Sequence, residues 1–275
     1  MSTADTAVVQ AALTEIGRVL AQKHGQLAVI GLCGAQGSGK STLARTLLEK
    51  CRAQGIAAAA LSIDDLYLPR SARLHLAQSV HPLLATRGVP GTHDIALGMN
   101  LLEALKRGEP RGLPSFSKAI DDRLPPSDWE TAPEDCQLLL FEGWCVGARP
   151  QAAEALVRPI NDLERLEDPQ GVWRRFANDA LAGPYEPLFG AIDTLMLLQA
   201  PGFETVFEWR LQQEEELRAQ VGAGAPGLMN APQIARFIQH YERLTRHILV
   251  EMPNRANLVV GMAADRTPLT IVHNG

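Results

Sequence analysis

Residues 27–42 read Leu-Ala-Val-Ile-Gly-Leu-Cys-Gly-Ala-Gln-Gly-Ser-Gly-Lys-Ser-Thr, an apolar run that gives way to a glycine-rich loop. The run Leu27–Leu32 is short and apolar throughout, as a strand buried on both faces requires. Helical spacing follows from Lys40 to Gln54. Between them, Gly34, Gly39, Lys40 and Ser41 satisfy the pattern Gly-x-x-x-x-Gly-Lys-Ser/Thr. The glycines let the backbone turn its N–H groups inward around phosphates. The helix that starts at Lys40 adds favourable potential for an anion. The whole loop, Gly34, Ala35, Gln36, Gly37, Ser38, Gly39, Lys40, Ser41 and Thr42, is therefore expected to hold the phosphates of ATP or GTP. Lys40 should bridge the β- and γ-phosphates and Ser41 should ligate Mg²⁺.

Further apolar runs follow at Ala57–Ile63, Gln137–Phe141, Thr194–Leu198 and Asn257–Gly261. With Leu27–Leu32 they make five strands, separated by helical stretches. Residues 5–23 form an amphipathic lead-in helix on Val9, Ala12, Leu13, Ile16 and Leu20. Such alternation predicts an α/β fold with a mainly parallel, five-stranded sheet between helical layers, the P-loop NTPase three-layer arrangement. At 275 residues the chain suits one domain, 1–275. Residues 64–136 are irregular and rich in Pro, Gly, Arg and His, with a helix at about 93–107 capped by Thr92 or Asp94 and ended by Gly108. A long insert after a strand suggests a substrate site. A charged helix covers about 203–220, a Gly/Pro break follows at 222–227, and another helix spans about 231–249.

Composition narrows the classes. Net charge is −5 and no basic face is evident, which argues against nucleic acid as a partner. No apolar run nears the ~20 residues of a membrane span, and Met1–Gln10 lacks a signal-peptide pattern. Cys33, Cys51, Cys136 and Cys145 show no metal or redox spacing and read as small hydrophobes in a reducing, cytoplasmic setting.

A parallel sheet presents its chemistry at the carboxyl ends of its strands. Asp64, with Asp65 beside it, and Glu142 stand there. Asp64 is placed to take a proton from a substrate hydroxyl, and Glu142 to hold magnesium through water. Helix or turn capping is the structural alternative for both. Asp193 precedes its strand and reads as structural.

The loop, Ser62-Ile-Asp-Asp-Leu-Tyr67 and Phe141-Glu-Gly-Trp144 resemble the P-loop kinases related to uridine kinase, phosphoribulokinase and pantothenate kinase. Within that group, His81-Pro-Leu-Leu-Ala-Thr-Arg-Gly-Val-Pro-Gly-Thr-His-Asp94, Lys118 with Asp122-Arg123, and Val206-Phe-Glu-Trp-Arg-Leu-Gln-Gln-Glu214 look most like the D-glycerate 3-kinases. The resemblance implies ATP and Mg²⁺ as cofactors and transfer of the γ-phosphate to a hydroxyl of glycerate, giving 3-phosphoglycerate. Another small metabolite as acceptor (a nucleoside, pantothenate, a sugar acid) or a partner-coupled ATPase are the alternatives. It also implies Asp64 as the catalytic base, residues 81–94 as a wall of the acceptor site, and the Arg210 helix as a closing lid. Where the family pattern has Phe-Asp-Lys, this chain has Phe116-Ser117-Lys118.

A small hydroxy-acid anion calls for an Arg fork or a Lys point charge. The candidates are Arg87, Lys118, Arg123 and Arg210, joined by Asp65, Tyr67 and His93, with His81, Trp144 and Trp209 as further possibilities. Arg210 has a rival reading as part of an ion-paired helix face with Glu214. Asp265-Arg266-Thr-Pro268 is a candidate for the adenine.

Overall fold

The computed structural model describes residues 3–221 and 229–274. Strand β1 (Ala28–Gly34) is buried along its whole length and lies at the centre of the sheet. The other strands are β2 (Ala58–Ser62), β3 (Leu138–Gly143), β4 (Thr194–Gln199), β5 (Leu258–Met262) and β6 (Pro268–His273). Their order is β6-β5-β4-β1-β3-β2, with only β5 and β6 antiparallel.

Alternation along the strands builds two cores. Ile30, Leu32, Leu138 and Leu140 face α1 (Thr3–Lys23) and α2 (Lys40–Ala53), where Val8, Ile16 and Leu47 meet them. Val29, Cys33, Leu139 and Phe141 face the other way, onto Leu101 of α3 (Ile95–Lys106), Leu188 and Ile248. A period of two therefore assigns successive residues to opposite layers, which makes the three-layer α/β fold.

Five strands were expected, and among the described residues the sheet has six. The extra strand, β6, is an edge strand whose Leu269 and Val272 are exposed. It lacks the uniform apolar run that marks a central strand, so the apolar-run criterion passes over it.

Asp94, not Thr92, caps α3 by accepting from Leu97 N at 3.0 Å. Gly108 follows the helix with φ +75°, a left-handed conformation suited to glycine. Helix α4 (Phe203–Val221) matches the charged stretch, and α5 (Ala231–Glu251) opens on an Asn230–Gln233 capping box. The Gly/Pro break at 222–227 lies outside the described residues.

Asp193 is structural. It accepts from Val29 N at 2.8 Å and pairs with Lys23 at 2.6 Å, so it pins α1 to the start of β1. All four cysteines are free and buried. Among the described residues no helix is long and apolar enough to cross a membrane.

Candidate active site

The glycine loop joins β1 to α2 at the carboxyl end of the sheet. Gly37 (φ +78°) and Gly39 (φ +85°) take left-handed conformations that other residues resist, and Gly39 caps α2 without a side chain in the way. Gln36 Oε1 and Ser38 Oγ are buried with no hydrogen-bond partner among the described residues. Buried polar atoms left so are costly, and a bound anion with its counter-ion supplies partners.

Glu142 sits on β3 opposite Leu32 of β1 and Ser62 of β2, so three strand ends converge there. Ser41 Oγ donates to Glu142 Oε1 at 2.8 Å, while Glu142 Oε2 is buried without a partner among the described residues. A hydroxyl and a carboxylate with a spare oxygen form a donor set that suits a hard divalent cation retaining several waters.

Two residues beyond Ser62, Asp64 lies in the short 3₁₀ turn Ile63–Leu66, its N–H held by the capping Ser62 Oγ at 3.3 Å. Lys118 Nζ lies 2.7 Å from Asp64 Oδ2, and Tyr67 donates its hydroxyl to Oδ1 at 2.7 Å. Burial raises the Asp64 pKa, but the Lys118 charge and hydrogen bond, helped by Lys40 and Tyr67, bring it down to about 2. Ser117 pairs with Asp122 in a short hairpin that carries Lys118 in its turn.

Asp65 points to the same hairpin and accepts from Phe116 N at 3.0 Å. Burial, with the negative charge of Asp64 beside it, pushes its pKa up to about 6 against the pull of that hydrogen bond. His93 stacks on Tyr67 at 4.7 Å, and its Nδ1 is 2.5 Å from Tyr185 Oη, which accepts from Gly91 N. Burial lowers the His93 pKa to about 4, so the ring is neutral at pH 7. Its Nε2 is buried without a partner among the described residues.

The four cationic candidates have different surroundings. Lys118 faces Asp64. Arg87 pairs with Asp121 and lies 5.7 Å over the Phe116 ring. Arg123 is tied to Asp94 at 3.1 Å and to the Tyr67 carbonyl at 2.9 Å, which fastens the hairpin to the start of α3. Arg210 pairs with buried Glu214 at 2.7 Å, and Glu214 also accepts from Met229 N at 2.6 Å. The ion-paired reading of Arg210 therefore describes this conformation.

Three further candidates serve the scaffold. His81 accepts from Leu83 N through Nδ1 at 3.3 Å. Trp144 is buried and donates to Gly88 O at 3.0 Å, and Trp209 is buried and donates to Ala264 O at 2.6 Å. Reasoning from sequence missed Arg73. It is 1% exposed and donates to Leu68 O, Ala85 O and Asp121 O, so it knits the insert together from inside. Those contacts reach up to 48 positions along the chain, and no local pattern announces them.

A cavity of about 280 Å³ opens beside Ser38, Gly39 and Thr42, with Val9, Leu43 and Pro268 among its walls. Its apolar walls lie next to the phosphate loop.

No protein-family model matches the chain. The uncharacterised kinase mug58 of Schizosaccharomyces pombe is 33% identical over 245 residues, 86% of each chain. This chain belongs to the D-glycerate 3-kinase-like family of P-loop kinases. The chloroplastic D-glycerate 3-kinase of Arabidopsis thaliana is 28% identical over 255 residues, covering 88% of this chain and 54% of that one. The solved D-glycerate 3-kinase of Cryptococcus neoformans shares the fold with a TM-score of 0.79, at 24% identity and full coverage of both chains. As a member of this kinase family, the protein is an ATP-dependent phosphotransferase.

Proposed function

We propose that this kinase transfers the γ-phosphoryl group of Mg-ATP to the 3-hydroxyl of D-glycerate, giving 3-phosphoglycerate and ADP. The observation that carries the reading is the position of Asp64. It is a carboxylate at a strand end, within the field of Lys40 and paired with a lysine that half-faces solvent. Relatives that bear the name D-glycerate 3-kinase support the choice of acceptor.

The phosphates lie along Gly34–Thr42, with Lys40 on the β- and γ-phosphates. The base enters the cavity walled by Val9, Leu43 and Pro268, which gives Arg266 and Pro268 the neighbourhood expected for adenine. Ser41 and Glu142 hold the magnesium ion, which when bound neutralises charge on the phosphoryl oxygens. The acceptor lies in the insert 64–136. Its carboxylate draws Lys118 off Asp64, with Arg87 and the neutral ring of His93 as further donors, and Asp65 and Arg123 hold the hairpin that carries Lys118. Asp64 Oδ2, released, accepts the proton of the 3-hydroxyl as that oxygen forms its bond to phosphorus and ADP departs. Helix α4, with Arg210, acts as the lid that excludes water from a single catalytic domain. Four buried free cysteines fit a reducing, cytoplasmic setting.

ADP release measured with and without D-glycerate tests the acceptor. Stimulation by millimolar D-glycerate is expected. Stimulation by uridine or pantothenate in its place would keep the kinase and remove this acceptor.

A further inference from the structure

Arg266 belongs to the turn between β5 and β6, which Ala263 N closes on Thr267 O at 2.8 Å. Its backbone is left-handed, φ +68°, a conformation that costs a non-glycine residue about 1–2 kcal/mol. Its side chain links two other elements. Nε donates to the carbonyl of Gly37 in the phosphate loop at 2.6 Å. Nη1 donates to Gln212 Oε1 on α4 at 2.7 Å, and the guanidinium lies 5.4 Å over the Trp209 ring of the same helix.

The Gly37 carbonyl matters because of what shares its peptide plane. A trans peptide holds its C=O and N–H antiparallel. With the carbonyl drawn toward Arg266, the Ser38 N–H faces the other way, into the loop, where it meets Ala35 O at 3.2 Å. Gly37 has the φ freedom to let this peptide turn over. It must also be glycine on steric grounds, because a Cβ there would fall 2.6 Å from Trp209 Cβ. The loop thus gives up side-chain restraint at position 37 to let α4 approach.

We propose that Arg266 is a positioning residue for the nucleotide phosphates. It fixes the Gly37–Ser38 peptide, and with it the turn that Ser38 N–H closes on Ala35 O, so that the loop keeps the curvature of the phosphate cradle. Through Gln212 and Trp209 it also sets that peptide in register with α4, the helix that carries Arg210. The inference rests on phosphates occupying residues 34–42; its binding readouts do not depend on which acceptor the kinase uses, and only the KM control rests on D-glycerate.

The test compares Arg266→Met and Arg266→Lys with the unaltered protein, using ADP and inorganic tripolyphosphate as probes. Dissociation constants come from calorimetry, and the KM for D-glycerate is measured at saturating ATP. Loss of a charge-assisted hydrogen bond should weaken both probes about tenfold in both variants, with the D-glycerate KM changed less than about twofold. Rescue by Arg266→Lys would mean a direct charge contact, and weakening of ADP alone would mean a contact with the base. Either result overturns the proposal, as does binding of both probes at unaltered strength. Should the Arg266 variants fail to fold, Gln212→Ala removes one tie from an exposed position. It should weaken both probes in the same direction by a smaller factor, and unchanged binding of both would overturn the proposal.

Discussion

Lys118 Nζ stands 2.7 Å from Asp64 Oδ2, so the proposed base and the proposed acceptor ligand neutralise each other in the free kinase. With Tyr67 on Oδ1, both carboxylate oxygens are occupied. A carboxylate held near pKa 2 is always ionised at neutral pH yet accepts a proton poorly. An acceptor that attracts Lys118 both fills the site and strengthens the base.

Two variants separate these roles. Asp64→Asn should lower phosphoryl transfer by about 10²–10⁴-fold while ADP binding stays near the unaltered value. In Lys118→Met the burial of Asp64 is opposed only by Lys40 and Tyr67, so its pKa rises, and the acid limb of kcat/KM should move up by about one pH unit or more. A pH–rate profile reads this directly. An acid limb that stays where it was would separate Lys118 from the base.

Asp65 has the opposite balance. Its folded-state pKa of about 6 lies above the ordinary 3.8, so between those values the native protein holds a proton that the unfolded chain has released. Stability from this group therefore falls as pH rises through that window, and the deficit persists above it. Asp65→Asn keeps an acceptor for Phe116 N and removes the buried charge. Its melting temperature should be higher than that of the unaltered protein at pH 7.5, and the gain should shrink toward pH 4 in thermal unfolding followed by circular dichroism.

Arg73 carries the architecture of the insert. Its replacement by Met leaves the carbonyls of Leu68, Ala85 and Asp121 without their buried donor, while the part-exposed Asp121 carboxylate keeps Arg87. The expected cost is about 3 kcal/mol or more, at roughly 1–3 kcal/mol for each buried acceptor left unsatisfied. Urea unfolding measures it. Activity should fall with stability.

Magnesium dependence should be absolute if Ser41 and Glu142 hold the ion. EDTA should abolish turnover and added Mg²⁺ should restore it. Glu142→Gln should raise the Mg²⁺ concentration for half-maximal rate about 10-fold or more, by analogy with the loss of other metal-site groups.

Much of this was legible in sequence because it is local. The phosphate loop needs a strand, glycines and a helix start within sixteen residues, and all appear in order. The placement of Asp64 and Glu142 at strand ends was legible because each follows an apolar run. What stayed hidden depends on contacts between distant segments. Arg123 read as a free anion ligand until Asp94 appeared beside it, whereas the Arg210–Glu214 pair, four positions apart on one helix, was already legible as an alternative. Trp144 and Trp209 read equally well as pocket or core aromatics, and both are buried with their indole N–H groups on backbone carbonyls. Strand β6 has exposed apolar residues on an edge, so apolar runs alone did not reveal it.

The identity of the phosphorylated product tests the central claim most directly. Incubation with ATP, Mg²⁺ and D-glycerate, followed by ³¹P NMR, should show 3-phosphoglycerate accumulating in step with ADP. Orthophosphate with ADP and no phosphoglycerate, or 2-phosphoglycerate as the product, would contradict it.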